Sequence, residues 1–142
     1  MRLRIPYQKY PTSYTESGFY YSASIAVSIG SPAHDSERSK RFDAIIDSGA
    51  SGCLFHASIG RAIGLNIEAG ERTETLGIAG ETKVFLHNIW LYAPGGPIAT
   101  QAAFSEELPV AGLLGMNGFF ENYRVLFDPV GLCCELERLH PA

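Results

Sequence analysis

Apolar residues in this chain come in short runs, and glycine or proline closes most of them. Gly30-Ser31-Pro32, Pro94-Gly95-Gly96-Pro97 and Asp128-Pro129-Val130-Gly131 have turn chemistry. Between the turns, Ile25, Val27 and Ile29 alternate with smaller residues at the period of two expected of a strand. The pattern predicts strands over residues 19–29 and 42–46, the second pairing with the first as a hairpin. Further strands are predicted at 73–76, 83–91, 98–104, 123–127 and 132–136, with a compact apolar run at 110–114 ending in Gly115. Helix is confined to a short stretch over 57–65, where Ile59 and Ile63 share a face and Gly64 is the stop, and to one helical turn over 117–123. Residues 33–40 are charged and polar, which predicts a solvated loop. The sum is an all-β chain of many short strands, a small barrel or sandwich.

The chain has 142 residues, which is one domain's worth. Residues 1–18, with Pro6, Pro11 and Gly18, read as a Tyr-rich arm ahead of a domain spanning 19–142. Net charge is −4, which speaks against a nucleic-acid binder and its basic face. The apolar runs stop well short of the roughly 20 residues of a membrane span. Arg2 and Arg4 would suit the start of an export signal, yet Tyr7-Gln8-Lys9-Tyr10-Pro11 stands where its apolar core would be. Three cysteines, two of them adjacent at Cys133 and Cys134, do not make a disulfide framework. The expectation is a protein of a reducing, cytoplasmic compartment that needs no cofactor.

One segment carries chemistry. In Phe42-Asp43-Ala44-Ile45-Ile46-Asp47-Ser48-Gly49-Ala50-Ser51-Gly52 an apolar strand runs straight into a carboxylate, and small residues then turn the chain. A carboxylate so held can accept N–H bonds from Gly49 and Ala50, while the Ser48 hydroxyl braces the turn. Two such carboxylates brought to about 3 Å cannot both ionise, so they share a proton. One then acts as base toward a water while the other donates to a carbonyl oxygen. An Asp-Ser-Gly turn alone is common. It gains meaning from the rest of the chain.

The sequence resembles the retropepsin-like aspartic proteases. The likeness begins with the strand and Asp47-Ser48-Gly49-Ala50, and continues through Leu54-Phe55 to Ile63-Gly64-Leu65. Next comes Gly77-Ile78-Ala79-Gly80 in a hairpin, at the place of the family's substrate-covering flap. It ends with Leu113-Leu114-Gly115-Met116-Asn117-Gly118, like the family's second signature. The order and spacing agree over roughly residues 19 to 136. The resemblance implies a small closed β barrel that is half of an endopeptidase. It also implies a homodimer in which Asp47 of each chain meets the other at the twofold axis. By the same resemblance Ser48 bonds across that axis and Gly49 leaves room for water and substrate. Ala50, Gly77, Ile78, Ala79, Gly80, Leu113 and Leu114 contact an extended peptide, bound by strand addition, or the core beneath it. Ser51 and Met116 depart from the family pattern, removing together an ion pair that members form near the dimer interface. Three roles stay open for the longer arm: interface strand, self-cleaved segment, or flexible end. Glu135 to Ala142 is a second candidate for interface pairing.

Other chemistries fit less well. Gly49-Ala50-Ser51-Gly52-Cys53 lacks the last glycine of a serine-hydrolase elbow. A zinc site from Cys53, His56, Cys133, Cys134 and His140 has tolerable spacing at Cys53-x-x-His56, but Cys133-Cys134 is not a chelating pair, and core positions suit Cys53 and one of that pair better. The weightiest rival is a barrel of the same fold that dimerises or binds peptides without cutting them.

Overall fold

The structure, a computed structural model, describes residues 2–77 and 80–139. Its strands in chain order are β1 (Arg2–Pro6), β2 (Gln8–Pro11), β3 (Phe19–Ser22), β4 (Ser24–Ser31), β5 (His34–Arg38), β6 (Phe42–Ile46) and β7 (Cys53–His56). The helix α1 (Ala57–Ala62) and a single 3-10 turn (Ile67–Ala69) follow. The chain then continues through β8 (Glu71–Gly77), β9 (Gly80–Ala93), β10 (Gly96–Ser105), β11 (Gly112–Leu114), β12 (Tyr123–Asp128) and β13 (Cys133–Arg138).

Six strands, in the order β4-β6-β11-β7-β10-β9, close on themselves because β9 also pairs with β4. Closure depends on the length of β9. Its fourteen residues pair with β8 at one end, with β4 at the other through Ser28↔Tyr92 and Gly30↔Trp90, and with β10 from Phe85 to Ala93. Pro94 and Gly95 make the two-residue turn into β10, with Gly95 and Gly96 at φ +95° and +122°, conformations that favour glycine.

The alternation read along 25–29 is an inward alternation. Ile25, Val27 and Ile29 are buried, and with Phe55, Ile89, Leu91, Phe104 and Leu114 they fill the barrel. Phe55 meets Phe42 edge to face at 5.6 Å and Phe104 at 6.0 Å. The helix packs closely because Gly60 faces Phe104 and Ile67, where a Cβ would come within 2.9 Å of both.

Outside the barrel lie a three-stranded sheet, β1-β13-β12, and a two-stranded hairpin, β2-β3. Tyr123 ties the three-stranded sheet to the barrel. Its ring stacks on Phe119 at 4.7 Å. Its hydroxyl donates to the Pro94 carbonyl and accepts from Arg138 Nη1 at 2.9 Å.

Three local expectations are corrected. The stretch 19–29 is two strands, because at Ala23 the chain leaves its pairing with β2 and begins pairing with β6. Residues 34–38 are a strand rather than a loop. The polar sequence suits an edge position beside β4, where the Arg38 guanidinium lies 3.6 Å over the Tyr92 ring and its Nε donates to Ser28 Oγ. Residues 117–122 are turns rather than helix, with Gly118 at φ +97°. In addition, β1 pairs with β13 of its own chain, from Arg2↔Glu137 to Pro6↔Cys133.

The most demanding contact is at Gly115. A Cβ there would meet the Gly52 carbonyl oxygen, and the Ala50 carbonyl oxygen at 2.7 Å. Both are backbone atoms and cannot swing aside. Gly115→Ala is therefore expected to lower stability by about 1–3 kcal/mol. Gly52→Ala, whose Cβ meets nothing within 4 Å, should stay within about 0.5 kcal/mol. Urea unfolding of the two variants checks this. Tyr123→Phe removes one hydroxyl with two partners and should cost about 1–2 kcal/mol. Burial pushes the Tyr123 phenol above its ordinary value of 10.0. The native state thus keeps the proton that the unfolded chain releases, and wild-type stability should fall as pH rises past 10. The slope above pH 10 should be shallower in Tyr123→Phe, as measured by unfolding at a series of alkaline pH values.

Candidate active site

The site is built where β6 ends. Asp47 leaves the strand with its N–H still in the barrel, donating to the Leu114 carbonyl at 2.9 Å. The chain then turns through 48–52 into β7. The strand β11 lies between the two, parallel to β6 through Leu113↔Ile45 and Leu114↔Ile46, and antiparallel to β7 through Gly112↔Phe55 and Leu113↔Leu54. The residues after it hold the far side of the turn: Met116 N–H donates to Ala50 O and Asn117 N–H to Ser51 O, both at 2.9 Å. Residues on either side of Gly115 therefore clamp the Asp47 turn.

Within the turn, Gly49 N–H donates to Asp47 Oδ1 at 2.9 Å. Contrary to the expectation from sequence, the Ala50 N–H does not bond to the carboxylate. It donates to the main-chain carbonyl of Asp47 at 3.1 Å and closes the turn. A Cβ at Gly49 would stand 3.2 Å from Asp47 Oδ1, so any side chain there crowds the carboxylate. Asp47 is half-buried, whereas Ser48 and Gly49 are exposed at the mouth of the site.

Asp47 borders two concavities. The larger, about 800 Å³, has Asp47, Gly49 and Ala50 at its floor, with Leu54 and Leu113 beside them. Thr73, Glu74, Val84 and Leu86 of the β8–β9 hairpin form another wall, and Thr100, Gln101 and Ala103 of β10 complete it. The smaller, about 440 Å³, lies on the other side of Asp47 between Tyr20, Ile45, Pro109 and Val110. Leu113 contributes to both. Glu74 is the second carboxylate bordering the larger cleft, but it sits on an exposed strand opposite Lys83, away from the clamped turn.

The other residues singled out from sequence divide clearly. Gly77 and Gly80 are paired partners at the end of the β8–β9 hairpin, while Ile78 and Ala79 lie outside the described residues. Leu114 is fully buried in the core beneath the site and borders neither concavity. The cysteines and His56 have structural occupations. Cys53 is buried, its Sγ 3.6 Å from the Asn117 carbonyl, and burial pushes its thiol up. His56 Nδ1 accepts from Ser58 N–H at 3.1 Å and caps α1. Cys133 and Cys134 are buried on β13, and His140 lies outside the described residues. Sequence reasoning overlooked Tyr20, Leu108, Pro109 and Val110 as neighbours of the carboxylate. Val110 was visible only as part of an apolar run, and nothing local linked the Tyr-rich segment to Asp47.

No family model matches the sequence, and no curated protein matches it. Solved structures do resemble the fold. A retropepsin-like aspartic protease from Rickettsia conorii is 14% identical, with a TM-score of 0.62, over 96% of this chain and 98% of that one. The EIAV protease, solved in complex with the inhibitor HBY-793, is 19% identical, with a TM-score of 0.51, over 73% of this chain and 86% of that one. At these identities the likeness is one of architecture. With its closed six-stranded barrel and, among the described residues, one short α-helix, the chain has the retropepsin-like fold.

Proposed function

We propose that the protein is an aspartic endopeptidase, active as a homodimer in which the Asp47 carboxylates of two chains face each other. The observation that carries this reading is the setting of Asp47. It is clamped in a turn at a strand end, aimed between two clefts, with a β-hairpin forming a wall of the larger one. The retropepsin-like fold of the two solved proteases supports it.

The chemistry needs two carboxylates in different protonation states at once. Each chain has a single Asp-Ser-Gly turn. Asp43 is exposed on β6, and Asp128 is used locally, its Oδ1 accepting from Gly131 N–H at 2.8 Å. A second copy would supply the missing partner. In the pair, the ionised carboxylate takes a proton from a water whose oxygen attacks the peptide carbonyl carbon. The protonated carboxylate gives its proton to the carbonyl oxygen. The resulting diol collapses, the C–N bond breaks, and the amine leaves with a proton returned by the pair. The Gly49 N–H bond fixes Asp47 Oδ1, so the carboxylate meets the water in one orientation. Gly77 and Gly80 belong to the hairpin that would close over the substrate as a flap. Ser48, exposed at the mouth, would bond to its counterpart across the axis and join the two turns.

Peptide cleavage followed by mass spectrometry from pH 3.5 to 7, with Asp47→Asn alongside, tests the reading. Cuts are expected with the wild type and not with the variant. They should be strongest at mildly acidic pH, where the pair keeps one proton, and decline as that proton is lost. Equal behaviour of the two proteins would make the chain a peptide-binding or dimerisation module. Cleavage per chain should also rise with protein concentration to a plateau, in step with the dimer fraction measured by analytical ultracentrifugation. A specific activity independent of dilution below the dimer's dissociation range would overturn the two-chain site.

A further inference from the structure

The smaller cleft beside Asp47 does not end at Val110. Tyr20, Pro109 and Val110 form one of its walls and also border a second groove, of about 540 Å³, on their other side. The remaining walls of that outer groove come from the β2–β3 hairpin: Tyr10 and Pro11 on β2, with Thr12, Tyr14 and Thr15 from the connecting loop. None of these residues is charged. In the inner cleft the one charged residue is Asp47 itself.

The hairpin holds its aromatic residues in place. Tyr10 stacks on Tyr20 with ring centroids 5.7 Å apart. The loop is closed by Thr12 N–H to Gly18 O at 3.0 Å and by Thr15 Oγ1 to Phe19 O at 2.8 Å, and Tyr14 N–H donates to Thr12 Oγ1 at 3.2 Å. Tyr14 is nevertheless 96% exposed. A bare aromatic ring on a hydrogen-bonded loop offers contact area whose backbone ordering is already complete.

We propose that this outer groove is a specificity subsite of the same active site, binding a large apolar or aromatic side chain of an extended peptide substrate some distance from the bond that is cut. The proposal rests on the protease reading above. The occupant follows from adjacency: the two hollows share Tyr20, Pro109 and Val110, so a chain lying against Asp47 in the inner cleft can cross these residues into the groove. In an extended peptide, alternate side chains point to the same face and lie about 7 Å apart. When one side chain fills the inner cleft, the side chain two places farther from the cut is the next on that face. If the residue flanking the cut occupies the inner cleft, the outer groove reads the third residue from the cut on the same side.

The test starts from a peptide that wild-type protein cleaves and Asp47→Asn does not. Pairs of that peptide carry Phe or Ala at the third residue from the cut, on each side in turn. For one side, wild type is expected to favour Phe about tenfold in kcat/KM, mostly through KM. The Phe/Ala ratio should fall toward one in Tyr14→Ala and in Tyr20→Ala. A ratio within one variant is unaffected by how much of that variant is folded, and Tyr14 is too exposed for its loss to disturb the core. If wild type cuts but the ratio is near one on both sides, or survives both substitutions, the subsite is overturned and the protease reading stands. If Tyr14→Ala leaves the ratio intact and instead raises the dimer dissociation constant, the groove is a contact between protomers and the proposal fails. If wild type cuts nothing, the protease reading fails and the subsite with it.

Discussion

The structure turns on the insertion of β11 between β6 and β7. Three residues of strand satisfy backbone groups on both neighbours, and the residues after them hold the Asp47 turn by two further bonds to its far side. The carboxylate is thus set in place by a segment more than sixty residues farther along the chain. This close passage is possible because position 115 carries no side chain, so the backbone can approach the Ala50 and Gly52 carbonyls. Gly112 plays a similar part against Phe55, where a Cβ would come to 2.7 Å. Barrel closure and site geometry therefore rest on the same strand crossing.

Much of this was legible in the residues, because the informative features are local. The alternation of Ile25, Val27 and Ile29, the Pro94-Gly95 turn and the Asp-Ser-Gly segment each follow from a few neighbouring residues. What escaped depends on partners. Residues 34–38 have a loop's composition, and only the edge of β4 and the ring of Tyr92 make them a strand. The break at Ala23 is set by two different sheets pulling on one extended segment. Residues 117–122 hold the adjacent pair Phe119 and Phe120; Phe119 is buried in the core against Tyr123, while Gly118 takes a left-handed backbone. At the site, Asp47, Gly49, Ala50 and Leu113 could be picked out by motif. The aromatic wall could not, since Tyr20 and Pro109 meet only in the folded chain.

The two sides of the site are built differently. Around Asp47 the backbone is tied by bonds of 2.9 to 3.1 Å and backed by a core of fully buried side chains. The walls above draw on separate pieces of chain: the β8–β9 hairpin and β10 on one side, Tyr20 and residues 108–110 on the other. Such a division would suit the proposed peptidase, whose carboxylate must stay still beside substrates of variable sequence.

The register of β1 against β13 has a consequence for how the molecule is made. Arg2 lies opposite Glu137, so β1 is made long before its partner β13 exists. Until then Leu3 and Ile5 have no sheet to join, and their pairing carries the entropic cost of closing a very long loop. Translation can deliver the six barrel strands and the Asp47 turn beforehand. The three-stranded sheet can be completed only once β13 has been made, far along the chain from β1.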